Sequence, residues 1–300
     1  MLLRIRDLDV AYGDRQVLHK VSLDVREKTV VGIVGESGSG KSTLLNSILQ
    51  LLGPAGHILN GQILQEENEL LQCDYKKLQD IRGKEIAMIF QDPTQMLDPM
   101  ERIGHLFTES IRVHDNSISR RRAEELAEQM LYKVGFEDVE RIMRSYPYEL
   151  SGGMNQRVAI GAALMNSPSL LLADEPTSAL DVRSQIRITE LLKSINEEGT
   201  TILLATHNMG LVAHLADYIG VMLNGQIIEY GTCNEVLKAP GHEYTKMLIH
   251  SVLTPGTPLP KPIPFNNAGC NYSKKVTLSE EHWIFQEPTP PETGGADHAG

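Results

Sequence analysis

The run Gly35-Glu36-Ser37-Gly38-Ser39-Gly40-Lys41-Ser42-Thr43 restricts this chain more than any other stretch. It follows Thr29-Val30-Val31-Gly32-Ile33-Val34, an apolar run short enough for one buried strand. It precedes Leu44-Leu45-Asn46-Ser47-Ile48-Leu49, which has the spacing of the first turns of a helix. Strand, glycine-rich turn and helix is the setting in which G-x-x-x-x-G-K-[ST] cradles phosphate. Glycines let successive backbone N–H groups converge on one concavity, and the helix start adds partial positive charge. Lys41 is expected on a solvent-facing loop, reaching β- and γ-phosphates, with the Ser42 hydroxyl on Mg²⁺. The plain alternative is a loop that only turns the chain. The bare pattern arises by chance in about one chain in a hundred of this length, and the flanking elements lower those odds. Residues 35–43 therefore read as a nucleoside triphosphate site.

Three hundred residues suit one large α/β domain or two unequal ones. The 28 Lys plus Arg against 39 Asp plus Glu leave a net charge of −11, which argues against a general nucleic-acid surface. Cys73, Cys233 and Cys270 are far apart and show no C-x-x-C spacing, so neither a disulfide framework nor a zinc site is expected. No apolar run approaches the ~18–20 residues that cross a bilayer. The start, Met1-Leu2-Leu3-Arg4-Ile5-Arg6, lacks the apolar core of a signal peptide. A cytoplasmic protein is expected.

Residues 2–10 alternate apolar and polar as a half-buried strand does, and 17–25 repeat the pattern after a Gly13-Asp14 turn. Tyr12, at the end of the first strand, could stack on a base or pack at an edge, and spacing leaves the two even. Gly53-Pro54-Ala55-Gly56 and Asn60-Gly61 read as two turns around a short strand. Residues 84–90 form a buried strand that delivers Gln91, whose amide could meet Mg²⁺ or orient a water. Residues 98–165 lack strand patterns and read as a helical subdomain, with a solvated charged helix around 120–131. Within it, Leu150-Ser151-Gly152-Gly153-Met154-Asn155-Gln156-Arg157 places glycines before a helix. That is either a second anion-holding helix start or a plain Ser cap.

Ser169-Leu170-Leu171-Leu172-Ala173-Asp174-Glu175-Pro176 is an apolar strand ending in two carboxylates. Beside a phosphate loop, Asp174 is placed to hold Mg²⁺ through water and Glu175 to act on an attacking water. A helix through residue 195 and a strand over 200–205 lead to Thr206-His207-Asn208, making His207 a candidate γ-phosphate contact. Strands over 218–223 and 226–229 and helices around 234–238 and 243–252 close the core. Pro255, Pro258, Pro260, Pro262 and Pro264 stiffen a linker, and residues 287–300 have the composition of a disordered tail.

The ordered set Tyr12, GESGSGKST, Gln91, LSGGMNQR, LLLADEP, SALD and His207 resembles the ATP-binding subunit of an ABC transporter over roughly residues 1–265. The resemblance implies an α/β P-loop fold over residues 1–253. That fold would be a mixed sheet with a RecA-like core, an N-terminal antiparallel β subdomain and a helical signature subdomain near 98–165. Residues 254–286 would form a Pro-rich extension. It makes Tyr12 the adenine-stacking aromatic, Gln91 the Mg²⁺ and membrane-subunit sensor, and Asp181 a nucleotide-contacting residue. Ser151, Gly152 and Gly153 would contact the γ-phosphate of ATP held by the opposite subunit, and Gln156 would be a further nucleotide-binding residue. Asp174 becomes the second-shell Mg²⁺ acid, Glu175 the general base and His207 the switch histidine.

Finer likeness is to dipeptide, oligopeptide and nickel importers, carried by residues 81–93, Tyr146-Pro147-Tyr148-Glu149 and His242-Glu243-Tyr244-Thr245. Relatives of that kind can hold an iron–sulfur cluster in the tail. Here Cys270 stands without further cysteines, so none is expected. Asn208 departs from the Asp usual after the histidine. The expected partners are a second ATPase subunit, identical or paralogous, in a head-to-tail dimer, two transmembrane permeases and an extracytoplasmic solute-binding protein. That assembly sits at the cytoplasmic face of the bacterial inner membrane. The alternative is a non-transport ABC ATPase acting on nucleic acid or ribosomes, disfavoured by the single cassette and the acidic balance. A P-loop kinase or GTPase needs no LSGGMNQR.

Overall fold

The computed structural model describes residues 1–250 and 274–286. The chain begins with β1 (Leu3–Tyr12) and β2 (Arg15–Val25), then enters the central sheet at β3 (Val30–Val34) and turns into α1 (Lys41–Ile48). It returns through β4 (Gly56–Gln65), β5 (Asn68–Glu69) and α2 (Tyr75–Ile81) to β6 (Ile86–Ile89). Four helices follow: α3 (Ile103–Arg112), α4 (Arg120–Lys133), α5 (Val139–Arg144) and α6 (Gly152–Leu164). Then come β7 (Leu170–Asp174), α7 (Val182–Glu197), β8 (Thr201–Thr206), α8 (Met209–Leu215), β9 (Tyr218–Leu223) and β10 (Gln226–Thr232). Short helices α9 (Cys233–Lys238) and α10 (Glu243–His250) precede a hairpin of β11 (Lys274–Thr277) and β12 (Trp283–Gln286).

Two sheets result, β2-β1-β4-β5 and the larger β11-β12-β10-β9-β3-β8-β7-β6. The run β9-β3-β8-β7-β6 is parallel, and β10 to β12 extend it antiparallel. Parallel strands covered on both faces read as continuous apolar runs, and β3, β7 and β8 are buried throughout. Side chains that alternate across the pleat feed two cores. Val31, Ile33, Leu170, Leu172 and Leu203 meet Leu44, Leu45 and Ile48 of α1 and the N-terminal strands. Val34, Leu171, Ala173 and Leu204 meet the helices on the other face. Because the strands are parallel, β3, β7 and β8 end on one edge of the sheet, where α/β folds bind ligands.

The helical subdomain packs around Phe107 of α3, with Ala127 and Leu131 of α4 and Ile142 of α5. The outer face of α4 carries Arg120–Glu124 and Arg121–Glu125 ion pairs at helical spacing, the solvated face expected.

Two expectations about local structure are corrected. Asn60-Gly61 is no turn: both lie inside the ten-residue β4, beside a register shift in its pairing with β1. Gly61 has φ 119°, and a Cβ there would sit 2.7 Å from Leu8 Cα, so the glycine serves a bulge. Second, residues 274–286 form a hairpin on the sheet edge, pairing Trp283 with Tyr230 and Ile284 with Glu229. No strand was expected there. The Pro-rich linker, Cys270 and the tail over 287–300 lie outside the described residues.

Candidate nucleotide site

The phosphate loop leaves β3 at Val34 and reaches α1 at Lys41 with Gly38 and Gly40 at φ 83° and 106°. Gly40 occupies the helix N-cap without a side chain to offer, leaving the first N–H groups of α1 free for an anion. The loop is held from outside. Its Ser39 carbonyl accepts the Gly225 N–H of the β9–β10 turn at 2.9 Å, and its Glu36 N–H donates to the Tyr244 hydroxyl at 3.1 Å.

Lys41 departs from the solvent-facing position expected of it. It is 6% exposed, and its Nζ donates to the carbonyls of Gly35 at 2.8 Å and Glu36 at 2.9 Å. Two of the loop's own acceptors thus satisfy the ammonium. Burial lowers its pKa, an effect opposed by the negative charges of Glu175, Asp174 and Glu36. The expectation failed because spacing fixes which residue carries the charge, and not where a long side chain rests.

The β7 end brings Asp174 and Glu175 to this edge. Asp174 is buried with the Ser42 side chain beside its carboxylate, and its Oδ1 has no hydrogen-bond partner among the described residues. Desolvation raises its pKa. Glu175 follows with φ 46°, its N–H on the Ala205 carbonyl at 2.8 Å. Its Oε1 accepts the His207 backbone N–H at 2.9 Å and lies 2.7 Å from His207 Nδ1, while Oε2 accepts the Thr206 hydroxyl at 3.1 Å. An ionised carboxylate only accepts, so Nδ1 of His207 carries the proton of that contact. The β8 end thus orients the acid of β7, while the His207 ring remains more than half exposed. Gly35 and His207 line a common cleft of about 300 Å³ with Leu248 of α10.

Other expected residues lie further out. Gln91, just past β6, is exposed. Tyr12 closes β1, half-buried, its ring against Gly56. Ser151 caps α6 by accepting the Met154 N–H, and Ser151 and Gly152 are exposed. Ser151 and Gly153 line a separate cleft of about 200 Å³ with Arg157 and Arg187. Gln156 is buried behind them. Asp181 caps α7 through the N–H groups of Arg183 and Ser184. Asn208 caps α8, its Oδ1 accepting the Leu211 N–H at 3.1 Å, a bond an Asp could make equally. A cavity of about 980 Å³ between β1–β2 and the β10–β12 edge includes none of these residues.

Sequence reasoning gave no role to Tyr244 or Gly225, which brace the loop. His242-Glu243-Tyr244-Thr245 was visible as a motif, but nothing in it points to a residue 208 positions away.

The family model described as ABC transporter matches residues 18–178. The oligopeptide transport ATP-binding protein OppD of Bacillus subtilis is 39% identical over 95% of this chain and 86% of its own length. The dipeptide transport ATP-binding protein DppD of Lactococcus lactis is 38% identical over 86% of this chain and 78% of its own length. Among solved structures, the dimeric post-hydrolysis cassette MJ0796 bound to ADP and Pi is 29% identical. It has a TM-score of 0.68 over 77% of this chain and 98% of that one. A phosphate loop joined to paired carboxylates and a histidine on one sheet edge agrees with these likenesses: the chain belongs to the ABC transporter family.

Proposed function

We propose that this chain is the ATP-hydrolysing subunit of a bacterial importer that takes up peptides through separate permeases. The observation that carries the reading is the convergence of Lys41, Asp174, Glu175 and His207 where β3, β7 and β8 end. The phosphate loop and Lys41 bind the triphosphate, and Tyr12 stacks on adenine. Glu175 orients and deprotonates the attacking water, and His207 holds the reacting phosphate end. The orphaned Asp174 Oδ1 beside Ser42 fits a magnesium ion. Ser42, Asp174 and Gln91 would hold it, and the ion would neutralise phosphate charge when bound. Ser151, Gly152, Gly153 and Asp181 complete the site of an opposed second subunit in head-to-tail contact, with Gln156 buried behind them.

Among the described residues no helix is long and apolar enough to cross a membrane, so membrane attachment in this reading runs through two permease polypeptides. A solute-binding protein on the far side delivers the cargo. The names of the relatives, oligopeptide and dipeptide transport proteins, favour peptides over nickel or a metal chelate. The test is affinity purification of the tagged chain from solubilised membranes with Mg-ATP. Two hydrophobic permeases and peptide-stimulated ATP hydrolysis are expected in reconstituted vesicles. Recovery with nucleic acid or ribosomes, without permeases, would contradict it.

A further inference from the structure

Tyr244 is 1% exposed, its ring packed into one of the two hydrophobic cores. Its hydroxyl accepts the Glu36 N–H, and the Glu36 carbonyl accepts both Lys41 Nζ at 2.9 Å and the Ser39 N–H at 3.2 Å. The second residue of the phosphate loop is therefore pinned on both sides of its Cα. One of those pins, Lys41, is the group that must leave for the phosphates.

The helix bearing Tyr244 is itself fixed from the C-terminal hairpin. Glu229 of β10, with no exposed surface, accepts the N–H groups of Gly241 at 2.8 Å and His242 at 3.0 Å. Its Oε1 also lies 2.7 Å from Nε2 of His282, in the β11–β12 turn. His242 Nδ1 then accepts the Tyr244 N–H at 3.1 Å. Hydrogen bonds thus run unbroken from the hairpin through Glu229, His242 and Tyr244 to Glu36.

We propose that Tyr244 is a positioning residue of the nucleotide site: its hydroxyl holds the Glu36 peptide when Lys41 turns to the phosphates, and the Glu229–His282 contact fixes the helix that presents it. The inference rests on the reading of residues 35–43 as the ATP site. Burial pushes the phenol up to about 12, so the hydroxyl stays protonated and available through the working pH range. The pinning lowers the ordering that ATP must impose on the loop, which is how preorganisation raises affinity.

The experiment measures Mg-ATP binding to the full chain by calorimetry, KM and kcat, and amide exchange in a peptide containing Glu36. Tyr244→Phe keeps the ring and deletes the hydroxyl. It should weaken ATP binding about three- to tenfold and raise KM accordingly, with kcat nearly unchanged and faster exchange at Glu36. Thr245→Val, a buried isosteric change on the same helix at a hydroxyl with no partner among the described residues, should leave ATP affinity as it is. His282→Gln should give a smaller loss in the same direction as Tyr244→Phe. Wild-type affinity and exchange in Tyr244→Phe, or an equal loss in Thr245→Val, would overturn the proposal. Undiminished ATP binding in Lys41→Ala would instead overturn the site itself.

Discussion

The chain carries two glycine-rich helix starts, and they are finished in opposite ways. At α1 the base of the loop is enclosed by its own chain: Gly35, Ser39, Gly40 and Lys41 are buried, and Gly225 and Tyr244 brace the backbone, while the tip over 36–38 is exposed. At α6 the start faces outward, with Ser151 and Gly152 exposed and only a side-chain cap to complete it. Similar local chemistry therefore yields two different objects. The first is a cradle ready for phosphate, and the second is half of a site that needs something placed against it. Under the function proposed above, the opposed chain of a head-to-tail dimer is what supplies the other half.

Breaking the enclosed start should have the largest effect. Lys41→Ala removes charge-assisted bonds to two phosphates and should weaken ATP binding at least about a hundredfold, read by calorimetry. The fold should survive, because the loss of two carbonyl partners is offset by removal of a buried charge. Micromolar affinity in the variant would mean that the enclosed start is not the cradle.

Ser151→Ala at the open start should act on the other quantity. ATP binding to the isolated subunit should stay within about twofold, while hydrolysis falls at least about tenfold as a phosphate donor is lost. Loss of the cap should cost about 1 kcal/mol, seen in thermal unfolding. Activity of the wild type should also rise more than linearly with concentration below the dimer dissociation constant. A strictly linear dependence across the monomer–dimer transition would remove the need for an opposed chain.

The smallest expected effect concerns Asp174. Its folded pKa is raised by burial, so its protonated form favours folding and that stability is lost as pH rises through the folded pKa. At neutral pH the ionised side chain therefore weighs against the nucleotide-free fold. Asp174→Asn should raise the melting temperature by about 2–4 °C per kcal/mol relieved, with no gain below the unfolded carboxylate range. It should also remove any stabilisation by Mg²⁺. A lower melting temperature at neutral pH would show that the carboxylate is structural.

The enclosed half was largely legible in the sequence because buried parallel strands write themselves as apolar runs, as 30–34, 170–174 and 201–206 do. The residues at their ends follow directly, so Asp174, Glu175 and His207 come to one edge as expected. Asn60-Gly61 misled because Asn-Gly is the strongest hairpin signal, while a bulge needs the same positive φ. The β11–β12 hairpin was hidden: each strand has four residues, and only Ile284 among them is buried. Its register comes from a distant edge strand rather than from its own alternation. The resting place of Lys41 and the reach of Tyr244 to Glu36 were hidden for a related reason. Both are contacts of side-chain ends, which periodicity does not encode.

The central claim is that Glu175, held by Thr206 and His207, is the base of a site shared by two chains. Glu175→Gln keeps the side chain's size and removes both its basicity and a negative charge beside the triphosphate. A positioned general base contributes about 10²–10⁴-fold, so hydrolysis should slow at least about a hundredfold. Binding should be at least as tight, and the unhydrolysed nucleotides should hold two subunits together. The direct measurement is ATP turnover of the variant alongside size-exclusion chromatography with Mg-ATP. The account predicts near-complete loss of turnover with a persistent dimer, whereas turnover close to the wild-type rate from a monomeric species would contradict it.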